Sequence, residues 1–111
     1  MPLFEERERA DEARYARNQE VAFRIKARRN KLLAEWAAAK MGKSGAAARQ
    51  YASEFTFAEI SDRDDAAVIS RIAGDLLAEG IFVPETDILR HLERFAAAAA
   101  RAYKAGARTR S

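Results

Sequence analysis

Glycine and proline are the residues that interrupt helices, and this chain of 111 residues holds only five of the first and two of the second. Most of them gather at Gly42 and Gly45, at Gly80 and Pro84, and at Gly106 near the end, which marks those places as expected helix breaks. Four helical stretches fall between them. At 100° per residue, Val21, Ala22, Ile25, Leu32, Leu33 and Trp36 share one stripe of a helix from about Asn18 to Met41, with Gly42 as a left-handed stop. A second, short and Ala-rich helix is expected from near Ser44, carrying Ala48, Tyr51, Ala52 and Phe55, with Phe57 and Ile60 completing its apolar content.

Ser61, Asp62 and Asp64 suit the positive start of a third helix, which places Val68, Ile69, Ile72 and Leu76 on one face before Gly80. The fourth opens around Pro84, Glu85 and Asp87 and repeats Ile88, Leu92, Phe95, Ala99 and Ala102 at steps of four and three. No stretch of β-branched residues alternates with polar ones for long enough to form a strand, and the connections are only a few residues long. The fold class that follows is all-α, an antiparallel four-helix bundle.

Composition bounds how such a bundle is stabilised. Of the hydrophobic 49%, 26 residues are Ala, while Leu, Ile, Val and Phe together number 22. That is near the level below which chains fail to build a core, so the helices must pack closely. The run Ala96 to Ala100 is read as a helix surface that lets a neighbour approach. With no Cys, disulfides, thiolate catalysis and Cys-based metal sites are excluded. The start MPLFEERERA lacks the apolar core of a secretory signal, and no charge-free run approaches the ~20 residues of a membrane span. A cytosolic protein without membrane insertion is expected.

The net charge of +3 conceals blocks of −2 over residues 1–20, +7 over 21–53, −7 over 54–93 and +5 over 94–111. Oppositely charged middle segments favour pairing within one fold over a single basic surface for nucleic acid. Arg24, Lys26, Arg28, Arg29 and Lys31 are five bases without an acid among them. Helical angles set Arg24, Arg28 and Lys31 on a flank and Arg29 inside the apolar stripe, where a guanidinium must snorkel or pair. A carboxylate of the third or fourth helix, Asp75 in the first instance, is the expected partner.

Motifs for catalysis are weak. Gly42-Lys43-Ser44 imitates the end of a phosphate-binding loop, but Ala37 stands where GxxxxGK[ST] needs its first glycine, inside a helix. A glycine stop followed by a serine cap accounts for the three residues. His91 is the lone imidazole, at the edge of the fourth stripe, and is read as a boundary residue. Asp62, Asp64 and Asp65 lack the twelve-residue loop and closing Glu of a Ca²⁺ site, so capping explains them better. No constellation of nucleophile, base and oxyanion donors is recognisable, and a non-enzyme is expected.

Residues 1–17 differ from the rest. Phe4, Glu5, Glu6, Arg7, Glu8, Arg9, Asp11, Glu12, Arg14 and Tyr15 include helix formers and pairs such as Glu5 with Arg9, with almost no apolar stripe. Ordering costs roughly 1–2 kcal/mol per residue, more than two aromatics return. The expectation is a mobile arm, disordered or frayed, that becomes helical on a partner. The domain division is then 1–17 arm, 18–106 bundle and 107–111 basic tail.

From Phe4 to Gly42 the sequence FEERERADEARYARNQEVAFRIKARRNKLLAEWAAAKMG resembles the zeta subunit family of alphaproteobacteria, the small inhibitor of the F-type ATP synthase. The residues that carry the resemblance are Phe4, Arg7-Glu8-Arg9-Ala10, Glu12 and Tyr15, then Ala27-Arg28-Arg29-Asn30-Lys31-Leu32-Leu33 and Trp36-Ala37-Ala38 to Met41-Gly42. Tyr51-Ala52, Gly74-Asp75, Gly80, and Ile88 with Arg90 fall in similar places. The chain departs from the family at Ala46-Ala47-Ala48, where relatives tend to carry acids, and in its basic tail from Gly106.

The resemblance implies a four-helix bundle whose N-terminal arm enters the catalytic interface of the alpha and beta subunits beside the gamma stalk. There it stops hydrolytic rotation and largely spares synthesis, at the cytoplasmic face of the membrane-bound enzyme. By the same resemblance Phe4, Arg7, Glu8, Arg9, Glu12 and Tyr15 are the contacts, with Phe4 and Tyr15 as apolar anchors and the charged residues setting register. The family has also been associated with adenine nucleotides; no cofactor is required, and no local motif here assigns residues to ATP or ADP. Two other readings stay open: a helical nucleic-acid-associated module using Arg24, Arg28, Lys31 and the basic C-terminus, and a nucleotide-sensing bundle.

Overall fold

The computed structural model describes residues 2–55 and 64–110, with side chains for 12–14, 16–55 and 64–106. Four helices and no strand are found among the described residues: α1 (Pro2–Lys40), α2 (Gly45–Ser53), α3 (Asp65–Ala78) and α4 (Glu85–Arg110). The all-α expectation holds. Phe57, Ile60, Ser61 and Asp62 lie outside the described residues.

The helix ends are set by local chemistry. After α1 the chain turns left-handed at Gly42, with φ +78°. The Lys43 amide then donates to the Ala38 carbonyl at 2.9 Å and the Gly42 amide to Ala39 at 3.1 Å, the paired bonds of a Schellman stop. The same device ends α3, where Gly80 (φ +77°) lets the Ile81 amide reach the Leu76 carbonyl at 2.9 Å, and Ile81 packs back on the core. Asp64 caps α3, its carboxylate accepting from the Ala67 amide at 2.9 Å. The Pro84 carbonyl accepts the first bonds of α4, from Asp87 and Ile88. Ser44 has the extended backbone of an N-cap, yet its hydroxyl makes no capping bond, which corrects the expected serine cap.

Two expected boundaries move. The chain has no break between residues 17 and 18: α1 is continuous from Pro2, as its run of Glu, Arg and Ala residues favours. That helical backbone is the conformation expected of the arm on a partner. Gly106 is not a break either, because α4 continues through it to Arg110. One glycine among alanines and arginines costs about 1 kcal/mol of helix propensity and does not force a stop.

α1 packs against each of the other three helices, most extensively against α4, and α3 also packs on α4. The last turns of α1 lie beside the start of α4, and residues 17–35 lie beside Ala99–Gly106, so α1 and α4 are antiparallel. The core joins Leu33, Ala34, Ala37 and Ala38 of α1 to Tyr51, Ala52 and Phe55, then to Val68, Ile69, Ile72 and Leu76 of α3 and Ile88 and Leu92 of α4. Ala99 is fully buried, as the close-approach reading of the alanine run requires. On α1, however, only Leu33 of the expected stripe is fully buried. Ala22 is exposed and Val21, Ile25, Leu32 and Trp36 are half-buried, whereas Asn30, Ala34, Ala37 and Ala38 are fully buried.

Two stability predictions follow from this packing. Ala37→Leu adds a branched side chain where no surface is exposed, and urea denaturation should show a loss of about 1–3 kcal/mol by overpacking. Gly42 and Gly74 both have open space where a Cβ would stand, but Gly74 is helical and Gly42 is left-handed. Gly42→Ala should cost roughly 1–2 kcal/mol and Gly74→Ala should gain about 0.5–1 kcal/mol. Opposite shifts in melting temperature would separate the two.

Candidate functional site

The buried positions of α1 all fall between Asn30 and Ala38, although the helix has 39 residues and a length of about 58 Å at 1.5 Å per residue. Its N-terminal half therefore runs past the core. The molecule measures 65 × 29 × 22 Å, a rod's proportions. Every described side chain from Glu12 to Glu20 is exposed. Of the expected contact residues, Glu12 is among these, and Phe4, Arg7, Glu8, Arg9 and Tyr15 lie on the helical backbone with side chains outside the described residues.

The basic residues of α1 divide as the helical angles require. Arg24 is exposed and pairs with Glu20 at 2.7 Å, Lys31 reaches Glu35 at 4.0 Å, and Arg28 is exposed. Arg17, Arg24, Arg28 and Lys31 line a groove toward α4 whose walls include Ile25, Leu32, Ala102 and Tyr103. Arg29 instead turns inward, with only 12% of its side chain exposed, and pairs with Asp65 at 2.8 Å. Two of its nitrogens also donate to the Asn30 Oδ1, at 3.1 and 2.9 Å. Its partner is therefore not the expected Asp75. The start of α3 lies nearer to Arg29, and Asp75 is engaged elsewhere, accepting from the Tyr51 hydroxyl at 2.7 Å and facing Arg71 at 3.5 Å. Burial, then the bond to Asp75, raises the Tyr51 pKa far above the ordinary phenol range. Tyr51 acts as a neutral donor joining α2 to α3. Asn30 is wholly buried with its Nδ2 unpartnered, a local cost of about 1–3 kcal/mol.

His91 is not merely a boundary residue. Its ring stacks on Trp36 at 4.3 Å between centroids and faces Phe95 at 6.2 Å, while the Lys40 ammonium lies 5.4 Å from the Trp36 ring centre. Trp36, Lys40 and His91 border an open cleft with Phe82, Val83, Pro84, Asp87, Arg90 and Arg94. Phe82 is 77% exposed. The cleft is not legible in the sequence because its residues come from the end of α1, the turn before α4 and the outer face of α4, and share no stripe. A phenylalanine two residues before a proline, off any helical period, is the signal available.

Among the described residues no group of three or more His, Asp or Glu is placed to hold a metal ion. Asp64 and Asp65 have the structural roles already given. No helix is long and apolar enough to cross a membrane among the described residues.

Burial lowers the His91 pKa from its usual 6.5, Arg94 and Lys40 push the same way, and Asp87 opposes them. The folded state then binds its proton less readily than the unfolded chain. The stability this neutral ring contributes is present above pH 6.5 and is lost as pH falls through the folded value. Proton NMR titration should find the His91 midpoint below 6.5, and Arg94→Gln should move it upward. A midpoint unchanged by that substitution would remove Arg94 from the account.

Neither a curated protein nor a solved structure matches the chain. The sequence profile described as ATPase inhibitor subunit zeta matches residues 1–102. That match takes in the projecting half of α1, both Schellman turns and most of α4, and with this coverage the chain belongs to the ATPase inhibitor subunit zeta family.

Proposed function

We propose that this protein inhibits ATP hydrolysis by the F-type ATP synthase by inserting residues 1–17 into the catalytic interface between the alpha and beta subunits, close to gamma. The observation that carries this reading is the family match, which begins at residue 1 and so includes the arm. The exposure of the described side chains from Glu12 to Glu20 supports it, because a helix with no core contacts of its own is free to find them on a partner. Phe4 and Tyr15 act as apolar anchors. Arg7, Glu8, Arg9 and Glu12 set the register by pairing with charged groups of the interface.

The inhibitor is a regulatory binding protein and works at the cytoplasmic face of the enzyme. Its mechanism is a one-way block. A catalytic interface opens and closes in sequence as gamma turns, and a helix admitted at the open stage resists closure in the hydrolytic direction. Synthetic rotation runs through the reverse order and expels it. Ordering of the arm on entry consumes part of the contact energy, which keeps the block reversible.

The test is ATP hydrolysis by ATPase heads lacking their own inhibitor, with full-length protein, a chain missing residues 1–17, and the variants Phe4→Ala and Tyr15→Ala. Full-length protein should inhibit and the truncated chain should not, while the truncated chain keeps its far-UV circular dichroism per helical residue and its melting transition. Each anchor variant should raise the half-inhibiting concentration roughly tenfold or more, as loss of an aromatic hot spot does. Equal inhibition by full-length and truncated chains would remove function from the arm.

A further inference from the structure

The cleft beside Trp36 has no role in the arm mechanism, yet its composition is unusual for a surface with no partner. Phe82 is 77% exposed at a turn between two helices, more than any other large apolar side chain among the described residues, Leu77 following at 60%. Around it stand Lys40, Arg90 and Arg94, against the single acid Asp87. Asp87 does little to neutralise them, since it approaches Arg90 only to 3.8 Å and Arg90 remains 77% exposed. The floor is firm. Trp36 and His91 are stacked face to face, and Val83 packs on the core beneath.

We infer that this cleft is a second docking surface of the inhibitor, on which Phe82 and the Lys40, Arg90 and Arg94 cations receive an acidic segment from the outer surface of the ATPase head. The inference rests on the function proposed above. Three cations around an exposed aromatic select carboxylates flanking an apolar residue. An open depression suits a protein segment better than a small ligand, because small-ligand sites enclose most of what they bind. The position also fits a second contact. The cleft lies beside the C-terminal turns of α1, at the opposite end of that helix from the arm, so both surfaces can be engaged at once by one large partner. The bundle contact then holds the inhibitor near its site and raises the effective concentration of the arm.

The experiment uses full-length protein and measures both the half-inhibiting concentration and the inhibition reached at saturation, at low and at high salt. Phe82→Ala and the double variant Arg90→Glu/Arg94→Glu alter the cleft, and Arg49→Glu reverses an exposed charge on α2 away from it. Both cleft variants should raise the half-inhibiting concentration roughly tenfold, with unchanged saturating inhibition because the arm is intact. The double variant should also lose most of the salt dependence of the wild type. Arg49→Glu should match the wild type, and all variants should keep their melting transitions.

Unchanged potency in both cleft variants would overturn the inference while leaving the arm mechanism in place. An equal loss in Arg49→Glu would overturn it in favour of a general charge effect. Failure of the wild type to inhibit would end the proposed function and this inference together. With potency unchanged, two further results would reassign the cleft: wild-type self-association lost in Phe82→Ala would give it to a second copy of the chain, and saturable ATP binding lost in the double variant would give it to a nucleotide.

Discussion

Three of the fully buried positions on α1 are alanines, Ala34, Ala37 and Ala38, and their smallness sets how near the other helices can come. α1 alone packs substantially on all three of its neighbours, so it occupies the position where bulk would force the bundle apart. The bulk comes from around it, in Phe55, Ile72, Leu76 and Ile88, all fully buried. This division lets a chain poor in large aliphatic residues enclose a core. Alanine loses little entropy on burial and favours the helix, and large side chains then fill the space it leaves.

Most of the fold was legible because helix punctuation and apolar spacing agree over α3 and α4. Val68, Ile69, Ile72 and Leu76, then Ile88, Leu92 and Ala99, are buried as their spacing requires. On α1 the stripe of large residues takes in the half-buried Leu32 and Trp36 and passes over Ala34, Ala37 and Ala38, which are fully buried. A pattern built on bulk does not register a surface whose function is to be small. Arg29 was rightly expected to need a partner, yet sequence spacing carries no information on which acid lies opposite, and Asp65 could be found only from the packing of α3 on α1. The cleft around Phe82 was illegible for a related reason: it gathers side chains from three places that no single periodicity links.

Charge is distributed to match these roles. The ion pair of Arg29 with Asp65 joins the basic middle block to the acidic one across two helices, as the alternating blocks favoured. Arg71 lies between Glu54 and Asp75 while covering the Phe55 ring at 4.5 Å, so one guanidinium ties the end of α2 to α3. These contacts spend charge inside the fold. By contrast, the cations around Trp36 and those along the groove beside residues 17–35 stay at the surface, and it is there that an acidic partner would be felt. Family membership points to the ATP synthase as the protein's partner.

The unbroken course of α1 has a mechanical meaning. Its packing on the bundle begins near Val21, the first half-buried side chain after the exposed stretch, which leaves about 28 Å of helix between that point and Pro2. Such a segment is a cantilever clamped at one end. A tilt of about 10° at the clamp displaces the tip by roughly 5 Å, close to one helical turn. The seating of the small bundle therefore aims the far end of the rod. Conversely, a sideways push on the tip returns to the alanine-lined clamp as a bending moment magnified by the length of the lever, so the stiffness of a few closely packed turns limits how much load the free end can bear.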